Sequence, residues 1–310
     1  MAQEDQYFLG YSPSEQERLR LQAQQLAHEA QWLLDKIRLV PGARVAEIGC
    51  GPQGCLDLLA ERVGSEGSVV GVEQGEDAVD LARRFVRDRG LANVEVLHAD
   101  ARTTGLPRGS FDLATARLVL VNVPNPEEIV AEMFALVRPG GVVAFHEADW
   151  VTHVCDPPHA AWNRLKEALV VYSQSHGVDL FIGRRVAQML HAVGLTEVQV
   201  NPLVHVYPLG HGRRQILLQF VENLRARLLA EGFVDEAELE ELTGALKRHL
   251  EDPRTLVVSH LFFQVWGVSW HSRSPRPNRC LPFSWPAEFP RTGYAGKWVS
   301  ENGRYRKPGE

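Results

Sequence analysis

The stretch ARVAEIGCGPQG, residues 43–54, decides how the chain folds. Val45, Ala46 and Ile48 make a short apolar strand that runs straight into Gly49, Gly51 and Gly54, a GxGxxG turn. Glycine at these points permits a tight turn and lets the backbone approach a ligand closely. On the N-terminal side, Pro41-Gly42 breaks the chain, and apolar residues recur at helical spacing over 14–38. Ser14 is the candidate cap of that helix, with Glu17 three residues on.

On the C-terminal side, strands and helices alternate. SVVGVE (68–73), VEVLHAD (94–100), FDLATARL (111–118) and GVVAFHEA (141–148) read as strands. Helical patterns fill 76–90 and 126–138, the latter stopped by Arg138-Pro139-Gly140-Gly141. Such alternation implies a parallel sheet, and the near-continuous apolar runs VVGV and VVAF fit strands covered on both faces. Residues 159–176, 184–193, 213–230 and 235–250 look helical, 198–209 alternates like a strand, and 255–267 is β-prone and reads as a returning edge-region strand. The expected fold is α/β: a Rossmann-like, mostly parallel seven-stranded sheet with helices on both faces, an N-terminal helical lid and an inserted helical cap. The expected divisions are a lid over 1–40, a cofactor-binding core over 41–158, a cap with the last strands over 159–267, and an irregular Pro/Arg-rich tail over 268–310.

A chain of 310 residues with 45% hydrophobic residues can bury a full core. Its net charge of −6 gives no global attraction for nucleic acid or anionic lipid and suits a small-molecule partner. No apolar run reaches a membrane span, the first residues do not resemble a secretory signal, and the four cysteines form no CxxC pair. A cytoplasmic setting is the plain expectation. The tail's tryptophans and Phe283 are candidates to dock in a groove, of the same chain or of a second subunit, which leaves a homo-oligomer open.

A lone GxGxxG is weak, but Glu73 ends the next strand 24 residues after Gly49, where a carboxylate can accept both hydroxyls of a ribose. NAD sites share that pattern. Three features favour S-adenosylmethionine instead. Glu47 stands beside the turn, unsuited to a pyrophosphate and compatible with a sulfonium ligand that carries an ammonium group. Asp100-Ala101 closes the third strand, where an acid can accept from an adenine amino group. RPGG introduces the fifth strand.

AEIGCGPQG, GVEQ, HADA and LVRPGGVVAF together resemble the successive motifs of class I S-adenosylmethionine-dependent methyltransferases, and more closely the bacterial small-molecule group related to ubiquinone/menaquinone methyltransferases. YFLGYSPSEQERL (7–19), ARLVLVNVPNPEEIV and IGRR (182–185) are also similar to that group, so the resemblance spans about residues 7–267. It implies that Glu47, Gly49, Gly51 and Gly54 hold the methionine part. Cys50 and Pro52-Gln53-Gly54-Cys55 depart from the smaller residues common in this loop; Cys50 is counted with the cofactor turn but reads as packing rather than chemistry, because nothing beside it in sequence lowers its pKa. The resemblance further implies that Glu73 and Gln74 hold the ribose, Asp100 and Ala101 frame the adenine, and Arg117 and Leu118 line the sulfonium side. Tyr7 and Tyr11 would lie over the cofactor. Plainer roles stay open: a solvated strand end for Glu73, a turn cap for Asp100, an ion pair for Arg117 and a helix staple for the tyrosines.

Methyl transfer needs positioning and exclusion of water, and a base only where the acceptor must lose a proton. HEADW (146–150) ends the fifth strand, so Glu147, then His146 and Asp149, are the candidate acid–base groups. Trp150, His153, Phe181 and Arg184 are the candidate acceptor contacts. The seven- and six-residue gaps between His146, His153 and His159 do not suit a metal, so none is expected. The reading is a methyltransferase acting on a small hydrophobic molecule of secondary or quinone-like metabolism, by O-, N- or C-methylation. An NAD-linked oxidoreductase and a non-catalytic binding protein of the same fold are the alternatives. A nucleic-acid methyltransferase would need an NPPY-like motif where VNVPNP (121–126) stands.

Overall fold

The structure is a computed structural model that describes residues 7–10 and 12–269. The expectations for Tyr11 and for the tail from residue 270 onward lie outside the described residues. Strands β1 (Arg44–Ile48), β2 (Ser68–Glu73), β3 (Val94–His98), β4 (Phe111–Arg117) and β5 (Val137–Asp149) are parallel. They join β7 (Thr196–Leu203) and β9 (Leu261–Val268) in a seven-stranded sheet of order β3-β2-β1-β4-β5-β9-β7. Strand β9 runs antiparallel to both its neighbours, β5 and β7. The fold class expected from the sequence is the one observed.

Successive residues of a strand point to opposite faces, and the core divides accordingly. Val45 of β1 and Leu113 of β4 pack with helices α2 (Ala27–Lys36), α3 (Leu56–Val63) and α4 (Glu76–Asp88). Ala46, Ile48, Ala114 and Ala116 pack with α5 (Pro126–Leu136), α6 (Ala160–Ser175), α7 (Val186–Ala192), α8 (Ile216–Ala230) and α9 (Glu236–Glu251). Val45, Ala46 and Ile48 are fully shielded from water, which is why so short a strand is fixed at the centre of the sheet.

Several boundaries differ from expectation. The N-terminal helix is two helices, α1 (Pro13–Gln25) and α2, separated at Leu26. Its cap is Ser12 rather than Ser14: the Ser12 hydroxyl accepts from Glu15 N at 3.2 Å, and Pro13 takes the first helical position, where its fixed φ suits the start of a helix. RPGG lies inside β5 instead of before it, and the pairing with β4 shifts register between Phe111 and Leu113 to absorb the irregularity. The 255–267 segment divides at Ser259-His260. Its first part, β8 (Leu256–Val258), pairs with β6 (Val154–Asp156) in a separate two-stranded sheet, and its second part is β9. β9 is an interior strand and β7 is the edge, so the chain leaves the sheet after Leu203 and returns one position inward. This excursion carries α8 and α9.

Candidate functional site

The carboxyl ends of β1, β2, β4 and β5 open on one cavity. At one end lie the glycine turn, Glu47, Glu73, Gln74, Asp100, Ala101, Arg117 and Leu118. At the other lie Phe8, Trp150, Leu169, Phe220, Leu224 and Phe262. The N-terminal segment covers it, with Tyr7, Phe8 and Leu9 and the α1 residues Gln16, Arg18 and Leu19 in the lining. That segment is held down by Arg227, which donates to Phe8 O at 2.9 Å, and by Tyr7, which donates to Glu15 Oε1 at 2.9 Å.

The polar end is built from strand termini. The buried Glu47 carboxylate accepts from Cys55 N at 2.7 and 3.0 Å. Burial pushes its pKa up to about 7, against the opposing pull of Arg117 and of the Cys55 N–H. Gly54 has φ +57°, and a Cβ there would lie 2.6 Å from Glu47 Oε1. A Cβ on Gly49 would lie 2.5 Å from Val119 Cγ2. Both positions therefore demand glycine for space and for backbone conformation. Gly54→Ala is expected to push the carboxylate aside and weaken nucleoside-ligand binding about tenfold, readable by calorimetry; unchanged affinity would show that the turn tolerates the displacement.

Glu73 accepts from Gly51 N at 2.9 Å, Gln74 N at 2.9 Å and Gly75 N at 2.8 Å. One carboxylate thus ties the glycine turn to the end of β2, and burial raises its pKa despite these bonds. Asp100 is gripped by Arg102, whose Nη2 lies 2.8 Å from its carboxylate; partial burial opposes this pairing, yet the pKa is lowered. Arg117 Nη2 donates to Gly54 O at 3.0 Å, while its Nη1 is buried without a partner. Cys50 is buried, and a Cβ on Gly71 would sit 3.0 Å from its Sγ, so the thiol packs beneath β2; burial pushes its pKa well up.

The acid–base candidates are elsewhere. None of His146, Glu147 and Asp149 lines the cavity. Glu147 is fully buried and accepts from Val119 N at 2.9 Å, Leu120 N at 2.9 Å and Val121 N at 3.2 Å, so it caps the turn of 3₁₀ helix at Leu120–Asn122 from beneath. Burial raises its pKa to about 8. His146 is buried with neither ring nitrogen paired and packs edge-on to Phe262; burial, then Arg117, Arg213 and His205, lower its pKa to about 3. Asp149 accepts from Val151 N and pairs with Arg184. Glu147 and Asp149 are thus taken up by hydrogen bonds and an ion pair of the fold, and His146 is buried away from the cavity.

Of the acceptor candidates, Trp150 faces the cavity, stacked on Phe220 with ring centroids 5.6 Å apart. His153 is buried behind it against Trp162. Phe181 and Arg184 lie outside the lining, the guanidinium over the Phe181 ring. Sequence reading missed Gln16, Arg213 and His260, all of which line the cavity. Gln16 is buried with both amide atoms unpartnered, and His260 is buried with Nε2 unpartnered. Among the described residues, no group of three or more His, Cys, Asp or Glu is arranged to hold a metal ion. No helix among them is long and apolar enough to cross a membrane.

Residues 46–145 match the protein family described as a methyltransferase domain. The chain is 36% identical over 113 residues to the aklanonic acid methyltransferase DauC of Streptomyces sp. (strain C5), covering 36% of this chain and 51% of that protein. It is 33% identical over 108 residues to the demethylmenaquinone methyltransferase of Listeria welshimeri, covering 35% and 46%. The chain spans about half the length of the curated relatives it matches. Among solved structures, phosphoethanolamine N-methyltransferase 2 of Haemonchus contortus, in complex with phosphomonomethylethanolamine and S-adenosylhomocysteine, superposes with a TM-score of 0.52 at 16% identity. That superposition covers 79% of this chain and 53% of the other.

Proposed function

We propose that the chain is a class I S-adenosylmethionine-dependent methyltransferase, as its match to the methyltransferase-domain family and its two methyltransferase relatives support, and that it transfers the methyl group of S-adenosylmethionine to a small, largely apolar acceptor. One observation carries the proposal: a single cavity is lined at one end by Glu47, Glu73, Asp100 and Arg117 and at the other by Trp150, Phe220 and Phe262. Donor and acceptor would share one enclosed space, as a direct displacement requires.

The residues fit the cofactor. Arg117 Nη1, buried without a partner beside Glu47, suits a carboxylate, and Glu47 suits an ammonium group; an amino-acid tail supplies both. Glu73 can accept from ribose hydroxyls. Asp100 keeps acceptor capacity for an adenine amino group, though Arg102 shares it. Gly49, Gly51 and Gly54 leave room for the backbone to approach the ligand. When bound, S-adenosylmethionine supplies a methyl group already activated on sulfur. The protein orients the two partners, and the lid, over its described residues 7–10 and 12–40, excludes water together with the 159–267 cap. Nothing lining the apolar end requires a dedicated base of an acceptor that is nucleophilic as bound. The names of the two relatives, an aklanonic acid methyltransferase and a demethylmenaquinone methyltransferase, support a quinone-like or similar small-molecule acceptor. The partner is a small molecule rather than nucleic acid, in keeping with a charge of −6. The buried free thiols of Cys50, Cys55 and Cys155 agree with the reducing cytoplasm.

Calorimetry with S-adenosylhomocysteine and with NAD⁺ tests this reading. The former should bind and the latter should not; the reverse result would replace the methyltransferase with an oxidoreductase. The affinity should also depend on pH. Glu47 holds a proton below about pH 7 in the free protein, and an ammonium group favours the ionised form. Affinity should therefore fall about tenfold per pH unit below 7, with proton release on binding.

A further inference from the structure

Arg213 lies in the short turn before α8, only 5% exposed, and lines the apolar end of the cavity. Its side chain donates to Tyr207 Oη at 3.0 Å and to Gln22 Oε1 at 3.4 Å, both neutral oxygens. Among the described residues no carboxylate forms an ion pair with it. Its neighbours show what a settled buried arginine looks like. Arg18 is locked to Glu15 at 2.6 Å. Arg214, next in sequence, donates to the carbonyls of Tyr207, Leu250, Asp252 and Thr255. Arg213 alone of the three faces the cavity with its charge unanswered. A buried cation without a counter-charge is costly, and an anion brought beside it recovers that cost.

The surroundings define the anion. The guanidinium lies 5.4 Å from the Phe262 ring centroid. His260, with Nε2 unpartnered, lies across from Trp150 with centroids 4.6 Å apart. The amide of Gln16 opens into the same space without a partner. Flat aromatic walls, one fixed cation and two neutral polar groups suit a planar conjugated molecule bearing a carboxylate. We propose that the acceptor is a planar aromatic carboxylate and that Arg213 selects it by pairing with that carboxylate. This rests on the apolar end being the acceptor site of a methyltransferase.

The test uses the full chain with 2-naphthoate and its neutral isostere 2-naphthamide as probes, titrated calorimetrically in the presence of S-adenosylhomocysteine. The wild type should prefer the carboxylate. Arg213→Gln should lose about thirtyfold in affinity for 2-naphthoate and little for the amide. Arg213→Lys, which keeps the charge, should retain most of the preference. Binding of S-adenosylhomocysteine by each variant reports that it is folded. Equal affinities in the wild type, a preference that survives in Arg213→Gln, its loss in Arg213→Lys while S-adenosylhomocysteine still binds, or binding of neither probe while S-adenosylhomocysteine binds would each overturn the proposal and leave the methyltransferase reading intact. Failure to bind S-adenosylhomocysteine at all would instead remove that reading, with the preference for 2-naphthoate still legible in the probe titrations.

Discussion

Replacing Glu147 by alanine is expected to lower the free energy of unfolding by about 3–5 kcal/mol, a loss of fold rather than of chemistry. Its carboxyl accepts three consecutive backbone N–H groups, those of Val119, Leu120 and Val121. Two of these residues, Leu120 and Val121, are buried, so water cannot replace the lost acceptor. Glu147→Gln should cost much less. An amide oxygen can keep the two N–H groups that now share Oε1, and only the Val121 contact at 3.2 Å is traded for a donor facing a donor. Denaturant titration of both variants separates the cases. A stable Glu147→Ala protein that binds S-adenosylhomocysteine but turns over slowly would restore the residue as a base. The same group sets a pH trend. Its folded pKa of about 8 lies above the ordinary carboxylate value, so the folded state holds a proton that the unfolded chain has released. Stability should be greatest below about pH 4.5 as far as this group is concerned, and should decline as pH rises toward 8. Glu47, raised to about 7, acts in the same direction in the unliganded protein.

Glu73→Ala is expected to weaken S-adenosylhomocysteine binding about a hundredfold. Two hydrogen bonds from ribose hydroxyls to a charged acceptor contribute about 1.5 kcal/mol each, and tenfold in affinity is about 1.4 kcal/mol. The residue also holds Gly51 N, Gln74 N and Gly75 N, so alanine loosens the glycine turn as well. Glu73→Gln keeps a neutral acceptor for that turn and isolates the charge. Calorimetry on both variants, with the denaturation midpoint as a check of folding, distinguishes a ribose contact from a purely structural clasp. Unchanged affinity in Glu73→Ala would remove the ribose role.

The sheet was legible because its central strands β1 and β5 carry near-continuous buried apolar runs, and burial on both faces leaves little ambiguity of period. The cofactor end was legible for a related reason. Glu47, Glu73, Asp100 and Arg117 all sit at or just past strand ends, and parallel strands bring their ends to one edge. The acid–base candidates misled because the same edge also needs acceptors for its own turns. Nothing local in HEADW says that the carboxylate of Glu147 points into the turn at Val119–Val121 rather than into a cavity. The sequence Gly-Arg-Arg occurs twice, at 183–185 and at 212–214. In the first, Arg184 and Arg185 are exposed, Arg184 pairing with the buried Asp149 and Arg185 with Asp179 and Glu127. In the second, Arg213 and Arg214 are both buried. Which fate each pair meets depends on what the 204–260 excursion packs against, and that is a long-range matter that no window of sequence contains.

Leu203, the last residue of β7, is the register partner of Phe262, at the start of β9. The long excursion therefore stands with its two feet on facing rungs of one ladder. What is built between them can lengthen, shorten or change shape without moving any rung. Arg213, Phe220, Leu224 and His260 all belong to this cassette or its joint, whereas the glycine cradle and Glu73 belong to the ladder. Exchanging the cassette at those rungs would refit one wall of the cavity while the glycine turn stays as it is, which makes Leu203 and Phe262 the natural splice points for chimeras.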